Sequence, residues 1–99
     1  LETAATVYFC CLEAMQNVAK YAHATSARVT LAMNDDELVF RVDDDGTGFD
    51  VRTTPHGSGL RNMADRVAAG GGELEVTSVP GEGTSVIGRV AVRALEAAP

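Results

Sequence analysis

The sequence predicts an α+β fold, a two-layer α/β sandwich in which a mixed, mainly antiparallel sheet is covered on one face by helices. Three observations carry that prediction. Apolar residues recur at three- and four-residue steps in two stretches, near the start and in the middle of the chain, which is the helical period. Four other runs alternate apolar and polar residues and are joined in pairs by turn chemistry, which is the signature of two β-hairpins. The resulting order of helix, hairpin, loop, helix, hairpin is met by helices packed on one face of an antiparallel sheet. With 99 residues, the chain has material for one such core and little more, so residues 1–99 form a single domain.

The first helix is expected from a cap at Thr3 to about Ala22, since a threonine hydroxyl can satisfy a free N–H of the first turn. Tyr8, Cys11, Leu12, Met15, Val18, Ala19 and Ala22 make its apolar stripe, and Glu13, Asn17 and Lys20 fall on another face. Arg28 to Met33 then alternates, with Val29, Leu31 and Met33 sharing a face; Asn34-Asp35-Asp36 supplies a turn, and Leu38, Phe40 and Val42 point inward from the next strand. A glycine-containing loop from Asp44 to about Gly59 follows. Leu60, Met63, Ala64, Val67 and Ala68 mark a second, shorter helix that Gly70-Gly71-Gly72 ends. Glu73 to Val79 and Ser85 to Val92 are two more strands about the turn Pro80-Gly81-Glu82-Gly83.

Composition narrows the function classes. A hydrophobic share of 45% is that of a globular domain rather than a disordered one. A net charge of −6 speaks against a nucleic-acid partner, which would require a basic face; it leaves an anion site open, because backbone N–H groups and a few local cations can hold phosphate inside an acidic protein. No apolar run is long enough to span a bilayer and no secretory signal is visible, so a cytoplasmic domain without membrane contact is expected. The start at Leu1 in mid-pattern suggests a piece of a longer protein. Cys10 and Cys11 are helix neighbours that face apart, and are expected to be structural thiols rather than a disulfide.

Four constellations carry chemistry. Glu13 and Asn17, four apart on a helix, stack one turn above each other. Asn17 can offer a neutral oxygen to Mg²⁺, a hard cation that takes few protein ligands; Glu13 can accept a proton from an attacking nucleophile; Lys20 can meet phosphate charge. A solvated helix face accounts for the same residues without a ligand. In Asp43-Asp44-Asp45-Gly46-Thr47-Gly48-Phe49 three consecutive carboxylates repel, so at least one requires a dedicated partner. Asp44 can accept a hydrogen bond from the exocyclic amine of adenine, and Gly46 and Gly48 let backbone approach a flat base. An EF-hand is excluded, because Arg41 would hold its first position; a dinucleotide fingerprint lacks its third glycine, and no P-loop occurs. Gly57-Ser58-Gly59-Leu60 opens the second helix, where free N–H groups and the positive dipole end suit phosphate. Thr84, after Gly81-Glu82-Gly83, can hydrogen-bond toward the base-binding carboxylate, although a hairpin turn alone explains those glycines.

Together and in this order, EAMQNVAKYAHA, DDDGTGF, GSGLRNMADRV and GGELEVTSVPGEGTSV resemble the ATPase domain shared by histidine kinases, DNA gyrase B, the Hsp90 chaperones and MutL, the Bergerat-type fold of the GHKL superfamily. The resemblance spans nearly the whole chain and is strongest to the sensor histidine kinases whose partners are helix-turn-helix response regulators. It implies ATP and Mg²⁺ as cofactors, with Mg²⁺ between Asn17 and the phosphates, Asp44 reading adenine, Gly46 and Gly48 bordering the base, Gly57, Gly59 and Leu60 flanking the lid and phosphates, and Thr84 supporting the adenine site through water. Glu13 matches the catalytic acid of that subgroup. The implied partners are the dimerisation and histidine phosphotransfer helices of the same protein and, indirectly, a response regulator; the piece by itself is expected to be monomeric. Three departures stand out: Tyr21 where the family commonly has His, Asp45 where Asn is frequent, and Gly70 before the Gly-Gly pair. A lid of seven residues, Asp50 to His56, predicts weak ATP affinity. The rival readings are an anti-sigma-factor-type serine kinase, an interaction module that no longer binds nucleotide, and a plain α+β domain with acidic turns.

Overall fold

The computed structural model describes residues 2–50 and 58–92. The chain runs α1 (Glu2–Asn17), a π-helical turn (Val18–Ala22), β1 (Ala27–Asn34), β2 (Glu37–Asp44), α2 (Ser58–Ala69), β3 (Glu73–Ser78) and β4 (Thr84–Ala91). The four strands form one sheet in the order β1-β2-β4-β3, antiparallel at every ladder. Both helices lie on one face of it, with α1 over β2 and β4 and α2 over β3 and β4. The α+β sandwich is therefore the architecture.

Alternation along the strands decides which residues meet the helices. Phe40 and Val42 of β2, and Val86 and Val90 of β4, point into the core, where Met63 and Val67 of α2 join them. A side chain on Gly88 would overlap the Phe40 ring on the facing strand, so the aromatic ring takes the space that the glycine leaves open. Arg66 stacks over the Phe9 ring at 4.1 Å from its centroid and ties the outer edges of the two helices.

The first helix follows a different stripe from the one its apolar residues predict. Val7, Cys10 and Ala14 are the buried positions, with Phe9, Cys11 and Val18 partly buried beside them, whereas Tyr8 is 70% exposed and Leu12 and Met15 are also exposed. The helix carries two apolar stripes at the same spacing, and only its seat over β2 and β4 selects between them. Thr3 lies inside the first turn, after a helix start at Glu2, and its hydroxyl donates to the Ala91 carbonyl rather than serving as the cap. The helix does reach Ala22, but its last five residues widen to π-helical geometry before His23 ends it at φ 51°.

Val29, Leu31 and Met33 share a face, as their alternation predicts, and pair with Val42, Phe40 and Leu38. That face is the helix side of the sheet, yet all three are exposed, because α1 and α2 sit over the other strands. Asp35 takes φ 55° in the β1–β2 turn. At the end of α2, Gly71 adopts φ 78°, and the N–H groups of Gly70 and Gly72 return to carbonyls of the last turn, the left-handed glycine stop that the sequence predicts.

Candidate functional site

The two helices and the β2 terminus converge on one end of the sandwich. Glu13 and Asn17 leave α1 on the side that faces the first turn of α2. A Cβ built on Gly59 would stand 2.9 Å from Glu13 Oε2 and 3.6 Å from Asn17 Oδ1. The glycine therefore lets the N-terminal turn of α2 approach both polar groups, and the partial positive charge of that helix end meets the Glu13 carboxylate. Leu60 follows on the same turn, half-buried against the core. Lys20 is exposed on the π-helical turn. Gly57 and all of the Asp50–His56 lid except Asp50 lie outside the described residues.

The Asp43-Asp44-Asp45 run is divided by the fold into three separate jobs. Asp43 points away from the helices, where Arg41 Nε donates to both its oxygens at 2.9 and 2.8 Å and Ser85 donates a third hydrogen bond. The Arg41 hydrogen bond holds its carboxyl below the usual carboxylate range. Asp45 accepts from the N–H and hydroxyl of Thr25 at 2.8 and 2.5 Å and from those of Ser26 at 3.0 and 3.2 Å. Those donors, the Thr25 hydroxyl first, bring its pKa down to about 2. Asp44 is on the helix-covered face at the end of β2. Its Oδ1 accepts the Gly46 N–H at 2.8 Å, and its second oxygen has no partner among the described residues. Of the three carboxylates, Asp44 is the one with capacity for a ligand.

The loop after Asp44 is held by its own protein on both sides. Thr47 N–H donates to the Ala22 carbonyl at 2.7 Å, the Gly81 N–H donates to the Thr47 carbonyl at 2.6 Å, and Phe49 N–H donates to Ser78 Oγ at 2.8 Å. A side chain at Gly46 would overlap the Ala22 carbonyl, and one at Gly48, where φ is 64°, would overlap the Val79 carbonyl. The described contacts thus explain these two glycines by backbone packing against the α1 exit and the β3–β4 turn. Ala22 is the last residue of the π-helical turn, so its carbonyl has no partner within the helix and receives the loop.

Thr84 opens β4 directly opposite Asp44 on β2 and opposite Ser78 on β3. Three sequence-distant residues therefore form a row on the helix-covered face. Ser78, buried at 6% exposure, joins Thr84 Oγ1 at 2.8 Å. Ser78 carries no signal in the sequence, because it owes its role to partners 5 to 29 positions away; the aspartate run implies a dedicated partner for one of its carboxylates, but only the fold assigns Thr25 and Ser26 to Asp45. The thiols stay out of this chemistry. Burial pushes Cys10 up to about 11 and raises Cys11 as well, so both are neutral and poorly nucleophilic near pH 7. Among the described residues no three His, Cys, Asp or Glu side chains cluster as a metal site. A Mg²⁺ ion here would rest on the Asn17 amide oxygen together with phosphate and water, a donor set that suits this cation.

A comparison of the chain with protein families matches residues 3–94 to the histidine kinase-, DNA gyrase B-, and HSP90-like ATPase. The chain is 32% identical over 81 residues to the signal transduction histidine-protein kinase/phosphatase UhpB of Salmonella typhimurium, covering 82% of this chain and 16% of that protein. It is 35% identical over 75 residues to the sensor protein VraS of Staphylococcus aureus, covering 75% and 22%. Among solved structures, the histidine kinase domain from the Erythrobacter litoralis EL346 blue-light activated histidine kinase superposes with a TM-score of 0.75 at 28% identity, over 92% of this chain and 45% of that one. The chain thus spans about a fifth of the length of these two curated relatives.

Proposed function

Since the chain belongs to the histidine kinase-, DNA gyrase B-, and HSP90-like ATPase family, we propose that it binds Mg·ATP and donates the γ-phosphate to a histidine on separate dimerisation and phosphotransfer helices of its parent kinase, in a cytoplasmic two-component pathway that ends at a response regulator. The observation that carries this reading is the convergence of Glu13, Asn17 and the N-terminus of α2 at one end of the sandwich, with Asp44 as the single carboxylate of its run that has an oxygen to spare.

In this reading Asp44 accepts the exocyclic amine of adenine. Asn17 holds Mg²⁺, which when bound supplies charge compensation for the phosphates. The N–H groups at Gly59 and Leu60 and the ammonium of Lys20 meet phosphate oxygens. Glu13 takes the proton from the N–H nitrogen of the acceptor imidazole while the other ring nitrogen attacks, the N–P bond forming as the bond from the γ-phosphorus to the β,γ-bridging oxygen breaks and ADP leaves. Position and charge compensation do most of the work in phosphoryl transfer, so a domain that presents the nucleotide to an acceptor on another element has what the step requires. His23 and His56 are not followed by the acidic residue that usually accompanies an acceptor histidine, and neither is its target.

Calorimetric titration of the chain with a non-hydrolysable ATP analogue and Mg²⁺, beside Asp44→Asn, tests the reading. Binding weaker than the low-micromolar range, abolished by the substitution, is the expected result. Binding unchanged in Asp44→Asn would refute the base-reading role. In the parent kinase, Glu13→Gln is expected to lower phosphohistidine formation by roughly 10²–10⁴-fold with nucleotide affinity retained. Stable phosphate on His23 or His56 after incubation with ATP would contradict the assignment of the acceptor.

A further inference from the structure

Ser78 is buried at the end of β3, one strand away from Thr84 and two from Asp44. A serine hydroxyl has one hydrogen to donate and two lone pairs to accept with. The hydrogen is directed at the Gly83 carbonyl, 3.1 Å away, a group that can only accept. One lone pair takes the N–H of Phe49 at 2.8 Å. The remaining contact, 2.8 Å to Thr84 Oγ1, is therefore made with Thr84 as donor. Ser78 is then fully satisfied, and Thr84 has spent its only hydrogen.

What Thr84 has left to offer is lone pairs. Asp44, its neighbour across the β2–β4 ladder, is a carboxylate and, when ionised, also accepts only. One of its oxygens already takes the Gly46 N–H. The Asp44–Thr84 edge therefore presents acceptors and no donor. An amine, or a water that donates, satisfies such an edge; a carbonyl leaves lone pair facing lone pair, and an unmet buried polar group is costly.

We propose that Ser78 is a specificity-determining residue: by taking the hydrogen of Thr84 it makes the Asp44–Thr84 edge acceptor-only, so the site receives a purine with a 6-amino group and refuses one with a 6-oxo group. This rests on the reading of Asp44 as the base-binding carboxylate. Ser78 acts through Thr84, and base selectivity rather than affinity is the quantity it controls. A site built for one hydrogen-bonding pattern discriminates through the groups it leaves unpaired with the wrong ligand.

The test is titration of the chain with ADP and with IDP, which differ in the 6-substituent and in the N1 proton that accompanies it. The unmodified chain prefers ADP. Ser78→Ala frees the Thr84 hydrogen to turn toward a 6-oxo group, and is expected to narrow the ADP-to-IDP affinity ratio roughly five- to tenfold. Ser78→Thr keeps the hydroxyl and restores the ratio. Because Ser78→Ala also strips partners from two backbone groups and can weaken the fold, Thr84→Val is measured beside it; removal of the acceptor lowers ADP affinity and leaves IDP unchanged. If Ser78→Ala and Thr84→Val each shift both nucleotides by the same factor, Ser78 is structural only and the proposal is wrong while the Asp44 reading stands. If the unmodified chain binds ADP no better than IDP, the Asp44 reading fails and the proposal with it.

Discussion

Three adjacent aspartates behave as three different residues because β2 ends between them. Strand alternation sends the Asp43 side chain to Arg41 on the outer face, while Asp44 turns to the helix side and Asp45 leaves the ladder to be gripped by Thr25 and Ser26. The sequence requires only that like charges be separated somehow. The four donors on Asp45 stabilise the ionised form, so its folded pKa of about 2 lies below its ordinary 3.8. A carboxyl whose pKa is lowered on folding contributes stability that is fully present above the unfolded value and is lost as pH falls through the folded one. Asp45→Asn is thus expected to flatten the decline in urea midpoint between about pH 4 and pH 2. A decline as steep as that of the unmodified chain would assign acid sensitivity to other carboxylates, Asp43 first, whose pKa is lowered too.

At the scale of elements, α1 shows how a correct period can point to the wrong face. Tyr8, Leu12 and Met15 form one apolar stripe, and Val7, Cys10 and Ala14 form another turned about 130° around the helix from it. The larger side chains are in the first stripe, and that is why hydrophobicity favours it. The fold buries the second, because small residues allow α1 to approach the sheet closely where Phe40 and Met63 already fill the space. Val7→Ala is accordingly expected to cost about 2 kcal/mol, and Leu12→Ala to stay within about 0.5 kcal/mol. Equal losses in chemical denaturation would restore the stripe that hydrophobicity favours. The β1–β2 hairpin repeats the lesson: its alternation is legible in the sequence, but exposure of Val29, Leu31 and Met33 follows from helices that cover only the other strands.

Across the whole molecule, the strand order does the assembling. Insertion of β4 between β2 and β3 sets Thr84 beside both Asp44 and Ser78, and the packing of α2 against α1 brings Gly59 to Glu13 and Asn17. A ligand that joins these groups ties α1, α2 and the sheet together, and must raise the stability of the folded chain by mass action. Mg·ADP at a hundred times its dissociation constant should add about 2.7 kcal/mol. The midpoint of thermal unfolding is expected to rise with Mg·ADP concentration, and less so for Asn17→Asp titrated with the same ligand. A midpoint unmoved by Mg·ADP would favour an interaction module that no longer binds nucleotide.

From the sequence alone come the fold class, the hairpins, the glycine stop of α2 and the four boxes that carry the family resemblance. These are local matters: periodicity, turn chemistry and short motifs act over a few residues, and each is written where it acts. Only the tertiary structure decided which stripe of α1 is buried, which of three aspartates keeps an oxygen without a partner among the described residues, and that Ser78 meets Thr84. Those outcomes depend on partners brought together by strand order and helix packing. Burial and hydrogen-bond direction belong to a pair of groups in space, and one member of such a pair says nothing of the other until the chain has folded.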